Sequence, residues 1–120
     1  MSPSPARNMI SLRDKAFLSL NAATATGNGD YKEFPATANV VSCQVSFTGG
    51  PSAVKVLLVG TIDGVNWFLL ATFDTGASGK SGDIISSTGI AVIAAMAVLD
   101  TLTNGTNPTV TAYILANRGG

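Results

Sequence analysis

The side chains that most often carry out catalysis are sparse in this sequence. The chain contains no histidine, the residue that most often serves as general base, partner of a nucleophile or metal ligand. Its acidic residues are spread along the chain, at Asp14, Asp30, Glu33, Asp63, Asp74, Asp83 and Asp100. A glycosidase needs two carboxylates beside one bond, and no spacing here indicates such a pair. We therefore expect no catalytic residue and no enzyme activity.

Three motifs that could hold a cofactor or a metal have simpler interpretations. Gly79-Lys80-Ser81 resembles the end of a phosphate-binding loop, but Asp74 stands where that motif requires its first glycine. Asp63 and Asn66 could offer oxygens to calcium, yet a hairpin turn explains them and calcium usually takes about six to eight ligands. Cys43 lies on the apolar side of a predicted strand, where cysteine behaves as a small hydrophobe. We expect no cofactor and no bound metal.

A surface that binds sugars or another protein is the remaining kind of site. Trp67 and Phe68 are consecutive in a predicted strand, so their side chains should project to opposite faces. We expect one ring to lie in the core and the other to be an exposed contact residue. Binding of single-stranded nucleic acid would need aromatic residues interleaved with basic ones, and the seven basic residues are scattered.

The charged fraction of the chain is low and its net charge is zero. Charged residues make up 12% of the sequence, against about 25% in an ordinary globular domain. Such a surface attracts neither nucleic acid nor an anionic membrane. The longest nearly apolar run, residues 89–99, is shorter than the roughly 18–20 residues that span a bilayer. A monomer with so few charges would be poorly soluble, so we expect other protein to cover part of the surface.

The organisation along the chain is an arm followed by one domain. Residues 1–14 are polar, contain two prolines and predict an extended N-terminal arm, and residues 15–120 form the domain. In the domain, alternating apolar and polar residues are interrupted by glycine, asparagine and proline, which predicts short strands. The predicted strands are 16–22, 31–35 (a short edge strand ended by Pro35), 41–48, 53–61, 66–73, 83–87, 90–102 and 109–116.

Two of these segments need a more specific prediction, one for its side-chain faces and one for its type of secondary structure. Residues 66–73 should place Trp67, Leu69, Ala71 and Phe73 on one side and Phe68 and Leu70 on the other. Residues 90–102 fit either a helix or a strand, and we favour a strand because every neighbour is β. The predicted fold is all-β: a single antiparallel β-sandwich or barrel, jelly-roll or immunoglobulin-like, of about seven to eight strands.

Residues 56–70 combine an apolar strand, the motif Asp63-Gly-Val-Asn-Trp67 and a second apolar strand. Together with the strands at 41–47 and 108–116, this pattern resembles small β-sandwich virion proteins of tailed bacteriophages over about half of the chain. The arginine-bearing strand that occurs late in such domains is replaced here by residues 90–99. The resemblance implies a small β-sandwich that decorates or cements a capsid.

The function that this resemblance implies is that of a capsid decoration or cement protein, which binds and stabilises the lattice of the major capsid protein. Such a protein is made in the host cytoplasm and lies on the capsid surface of the virion. Its partners would be the major capsid protein or other virion proteins and copies of itself, with a trimer favoured, and neither nucleic acid nor membrane. The alternatives are a tail, collar or fibre-base component and a carbohydrate-binding adhesive module. Candidate partner contacts lie in the arm and on residues 66–73: Arg7, Met9, Ile10, Leu12, Phe68 and Leu70.

Overall fold

The computed structural model describes residues 16–75 and 82–117. The regular elements in these ranges are β-strands, each antiparallel to its neighbours, as the alternation predicted. They are β1 (Ala16–Ala23), β2 (Gly27–Thr48), β3 (Ala53–Thr61), β4 (Phe68–Asp74), β5 (Gly82–Thr103) and β6 (Thr109–Asn117). The strand favoured for residues 90–102 is confirmed, because they belong to β5. The predicted arm, residues 1–14, lies outside the described residues.

The two longest strands, β2 and β5, each contribute to two layers. The hydrogen-bond order is β1-β6-β2-β5-β3-β4. Residues 40–48 of β2 pair with β6, and most of them also pair with the first part of β5. Residues 27–33 of β2 pair with the second part of β5. This second part of β5 also pairs with β3. Each layer therefore contains segments of four strands: β1, β6, β2 and β5 in the first, and β2, β5, β3 and β4 in the second. The predicted antiparallel all-β fold is confirmed. The short strands predicted at 31–35 and 41–48 are both parts of β2, and those predicted at 83–87 and 90–102 are both parts of β5.

Phe47 and Phe73 demonstrate that the layers face each other. Phe47 lies on β2 and Phe73 on β4, three strands away in the hydrogen-bond order, which is about 14 Å in a flat sheet. Their ring centroids are 6.2 Å apart. The sheet must therefore fold back on itself and enclose the core, whose largest fully buried side chains are Leu58, Leu99, Ile114, Val41, Val45, Val54, Val56 and Val110.

A bulge in the middle of β2 lies where the sheet turns from one layer to the other. Glu33 pairs with Ala94 and Ala38 pairs with Val92, so residues 34–37 of β2 face a single residue of β5. Pro35 lies in this unpaired stretch, where its missing N–H costs no ladder hydrogen bond. The prediction that Pro35 ends a strand was therefore wrong, because β2 continues through it.

The hydroxyl of Ser19 joins the edge strand β1 to the other layer. Its Oγ accepts a hydrogen bond from the backbone N–H of Ala97 at 2.9 Å and donates one to the carbonyl oxygen of Asp30 at 2.7 Å. These bonds lie where the pairing of β2 with β5 shifts register, at residues 28–31. A Cβ atom on Gly29 would lie 2.5 Å from the Ser19 carbonyl oxygen, so this close approach requires glycine.

A second bulge reverses part of the face predicted for β4. The register against β3 shifts between Ala71 and Leu69, which makes Leu70 the extra residue. Leu69 therefore points away from the core and is 57% exposed, while Phe73 is 3% exposed. The prediction that Leu69 shares a side with Phe73 was wrong, because strict alternation ends at the bulge.

Candidate functional site

A row of apolar side chains crosses the outer face of the second layer. Tyr31 on β2 lies opposite Met96 on β5, Met96 lies opposite Val59 on β3, and Val59 lies opposite Leu69 on β4. Residues directly opposite each other in antiparallel strands are close enough for their side chains to touch. These three pairings therefore place the four side chains in one continuous apolar row on this face.

Trp67 turns part of this row into a groove. Its ring centroid lies 6.0 Å from that of Tyr31, with 60° between the ring planes, an edge-to-face geometry that aromatic pairs favour. The space beside the rings has a volume of about 360 Å³. We call it the aromatic groove; it is lined by Asn28, Gly29, Tyr31, Glu33, Gly64, Trp67, Ile93, Ala94 and Met96.

Asp63 holds the β3–β4 turn that carries Trp67. Its Oδ1 accepts hydrogen bonds from the backbone N–H groups of Val65 and Asn66, both at 2.8 Å. Its Oδ2 accepts a third from Asn66 Nδ2 at 2.8 Å, and the Thr61 hydroxyl donates a fourth to Oδ1 at 3.0 Å. The backbone hydrogen bonds from Asn66 and Val65 favour the charged form and hold the pKa of Asp63 well below its usual range. Asp63 and Asn66 therefore have a structural role in positioning the turn.

The same turn and the start of β4 expose a second apolar surface, which we call the hairpin patch. Its members are Ile62, Val65 and Phe68, with exposed fractions of 73%, 78% and 69%. Single exposed apolar residues are common, but three large ones within residues 62–68, in one turn and the first position of the strand that follows it, are a candidate for an interface. The patch is mainly aliphatic, whereas the aromatic groove combines two rings with polar groups.

The candidate contact residues predicted from the sequence fall into three groups. Phe68 is exposed in the hairpin patch. Leu70 is half-buried and packs against the core. A Cβ atom on Gly60 would lie 2.7 Å from Leu70 Cδ1, so Leu70 fills the space beside Gly60. The other four lie outside the described residues: Arg7, Met9, Ile10 and Leu12.

The expectation that either Trp67 or Phe68 lies in the core was wrong. Trp67 is half-buried at the groove and Phe68 is exposed. Trp67 precedes β4, which begins at Phe68, so the alternation of a strand does not apply to this pair.

Sequence reasoning missed several residues that the structure brings to these surfaces. Tyr31 and Met96 meet through the register of β2 against β5, which alternation within each strand cannot reveal. Ile62 and Val65 flank the Asp-Gly turn, and apolar residues at a turn, where polar ones are usual, were the available signal.

The remaining reactive group, Cys43, does not belong to either surface. Cys43 is fully buried, and burial raises the pKa of its thiol to about 12. Gly79-Lys80-Ser81 lies outside the described residues. Within residues 16–75 and 82–117, no three histidine, cysteine or acidic side chains gather as a metal site would require. No helix in the same ranges is long and apolar enough to cross a membrane.

Comparison with known proteins identifies similar folds at low sequence identity. No family model matches the chain, and no curated protein matches it. The SPBc2 prophage-derived protein YomS superposes with a TM-score of 0.58 at 11% identity, over 85% of this chain and 91% of YomS. PirA superposes with a TM-score of 0.50 at 12% identity, over 87% of this chain and 94% of PirA. A pectin-binding carbohydrate-binding module gives a TM-score of 0.47 at 17% identity, over 80% and 70% of the two chains. The similarities to YomS and PirA support the fold and nothing beyond it.

Proposed function

We propose that this chain is a structural protein of a tailed-bacteriophage virion, and that it docks on the capsid as a decoration or cement protein. The hairpin patch carries the proposal. It presents aliphatic and aromatic side chains that water solvates poorly. Burying them against another protein is favourable by about 25 cal/mol per Å² of apolar area before the entropic cost of association is subtracted. The fold shared with a prophage-derived protein is compatible with this role.

The composition of the hairpin patch favours a protein partner over other partners. Its side chains are uncharged, and the charge within the same turn is the Asp63 carboxylate. The surface therefore offers nothing that would neutralise phosphate in nucleic acid or in lipid headgroups. Interfaces are depleted in charge at their centre and enriched in aromatic residues, and Phe68 supplies an exposed ring. We propose the major capsid protein as the partner.

Binding in many copies would allow each contact to be small. The exposed patch comes from one turn and the first residue of one strand, and so it is smaller than a standard interface. A homotrimer would present three patches to the lattice at once, and linked sites gain affinity through effective concentration. We therefore propose that the chain also associates with copies of itself, with a trimer favoured. We propose no catalytic activity for it.

Immunogold electron microscopy of purified virions, with antibody raised against the full chain, tests the location. Label distributed over the head is the expected result. Label confined to the tail, collar or fibre base would replace the decoration role with that of a tail component. Absence of label from every particle would overturn the virion proposal.

Rebinding to heads that lack the chain tests the docking surface. Phe68→Ser and Ile62→Ser should each reduce occupancy of the heads, because each places a polar group at the apolar contact. Ile84→Ser is the matched control, since Ile84 is also an exposed isoleucine, at 61%, but lies on the first layer. Equal occupancy by all three variants and the unchanged chain would exclude the hairpin patch as the contact. Sedimentation velocity on the same proteins measures the oligomeric state.

A further inference from the structure

We propose that the aromatic groove is a binding site for a neutral hexopyranose, either as a free sugar or as the terminal residue of a glycan. The site is separate from the hairpin patch, and the inference does not depend on the virion role. It depends on the two rings, the polar groups beside them, the charge of the lining and the size of the groove.

The two rings form a corner that suits the apolar face of a sugar. The faces of Tyr31 and Trp67 carry negative partial charge, and the C–H hydrogens on one side of a pyranose ring carry positive partial charge. With 60° between the planes, both rings cannot lie on one flat surface. The corner therefore suits a single sugar ring held from two sides and excludes the flat face of a crystalline polysaccharide.

The groups beside the rings can bind hydroxyls. Asn28 and Glu33 line the same groove, and the amide of asparagine both donates and accepts hydrogen bonds, while a carboxylate accepts them. Met96 and Ala94 supply an apolar lining between these groups and Trp67. A mainly apolar pocket with a few polar groups is the usual composition of a small-ligand site.

The charge and size of the groove narrow the class of sugar. Among the residues that the structure describes, the lining holds one carboxylate, Glu33, and no lysine or arginine, so a uronic or sialic acid would face repulsion without a compensating cation. The volume of about 360 Å³ lies near the lower end of the range of about 300–1,000 Å³ for small-ligand sites. Both properties favour a single neutral sugar residue.

Fluorescence of Trp67 tests the site directly, because this residue is the single tryptophan of the chain. The probes are methyl glucoside, methyl galactoside and N-acetylglucosamine, with galacturonic acid as the acidic counterpart of the galactoside. We expect at least one neutral sugar to shift the emission of Trp67 in a saturable way, and galacturonic acid to bind about tenfold more weakly, a difference of about 1.4 kcal/mol. Saturation-transfer NMR on the same sugars gives an independent readout that also serves when Trp67 is replaced.

Three variants locate the binding. Tyr31→Ala and Trp67→Ala should each weaken it about tenfold or more, and Glu33→Gln should narrow the difference between the galactoside and galacturonic acid. Tyr113→Ala is the matched control, since Tyr113 is an exposed tyrosine on β6 in the first layer, and it should bind like the unchanged chain. Far-UV circular dichroism confirms that each variant is folded.

Several results would overturn the proposal. Absence of both a Trp67 shift and saturation transfer with every neutral sugar would exclude a sugar site. Binding that Tyr113→Ala weakens as much as Tyr31→Ala would place the sugar elsewhere, and equal affinity for galacturonic acid would refute the neutral class. None of these variants changes the hairpin patch, so head occupancy should be unchanged, and failure of this proposal is distinguishable from failure of the capsid role.

Discussion

The rings of Tyr31 and Trp67 meet edge to face, with their centroids 6.0 Å apart. Two strands, β5 and β3, lie between the strand of Tyr31 and the strand that follows Trp67. Tyr31 comes from β2 and Trp67 immediately precedes β4. Their contact therefore crosses the outer face of two strands. Thr61 and Ala94, which lie opposite each other on these strands, are both only 2% exposed. The outer face of the second layer is thus partly covered by the chain itself.

Removal of the Tyr31 ring should expose Trp67 and move its emission to longer wavelength. The reason is that the Tyr31 ring lies against the indole and shields part of it from water. The measurement is the emission maximum of Tyr31→Ala in buffer, compared with the unchanged chain and with Tyr113→Ala. If both tyrosine variants have the same maximum as the unchanged chain, the ring contact does not exist in solution.

Ser19→Ala should lower the free energy of unfolding by about 1–3 kcal/mol. The substitution removes the acceptor of the Ala97 N–H and the donor to the Asp30 carbonyl oxygen, so it leaves a buried backbone group without its partner. Urea unfolding at equilibrium measures the difference. Ser46→Ala, at an exposed position of β2, should stay within about 0.5 kcal/mol of the unchanged chain. Equal losses for the two serines would refute the bridging role of Ser19.

Phe73→Ala and Leu69→Ala should differ sharply in stability. Phe73 is 3% exposed, and truncation of a buried phenylalanine costs about 3–5 kcal/mol. Leu69 points outward because of the bulge at Leu70, so its truncation should cost about 0.5 kcal/mol or less. The same urea titration measures both, and a large loss at Leu69 would indicate regular alternation without the bulge.

Asp63→Ala should lower the thermal unfolding midpoint at neutral pH, because the turn loses the acceptor of its backbone hydrogen bonds. Since folding lowers the pKa of Asp63 from its ordinary 3.8, the ionised group stabilises the fold above that pH. This contribution declines as the pH falls below 3.8 towards the folded-state pKa. The gap between variant and unchanged chain should therefore narrow in acid.

Unfolding midpoints measured from neutral to acidic pH test this dependence. Asp100→Ala is the control, since the Asp100 carboxylate accepts a hydrogen bond from the adjacent Thr101 hydroxyl and holds no turn. A gap for Asp63→Ala that stays constant with pH would show that the ionised carboxylate does not stabilise the fold.

Cys43 should resist alkylation by iodoacetamide in the folded chain and react once urea unfolds it. The side chain is fully buried, and burial raises the pKa of its thiol to about 12, so both access and thiolate formation are suppressed at neutral pH. Mass spectrometry of timed samples measures the modified fraction. Reaction of the native chain at the rate of the unfolded chain would contradict this burial.

The local sequence was sufficient to predict the strand type and the principal core faces. Val41, Cys43 and Val45 alternate with polar residues and are buried, because a strand turns successive side chains to opposite faces. Residues 90–102 were also predicted as strand, from the β character of their neighbours. The alternation in residues 41–45 depends on residues close in sequence, and so the sequence alone determined it. Residues 90–102 also fitted a helix, and their pairing with β2 and β3 made them a strand.

The two candidate surfaces depended on tertiary structure. Leu69 became exposed through a bulge at Leu70, and Tyr31 came opposite Met96 through the pairing of β2 with β5. Pro35 did not end its strand, because a corner between two layers left its position unpaired. Bulges and registers are set by the fit of one strand against another across the whole sheet. The sequence by itself therefore determined that this chain is an antiparallel β protein with alternating buried side chains in β2, β3 and β6. Only the tertiary structure decided which outer residues meet in the groove and the patch.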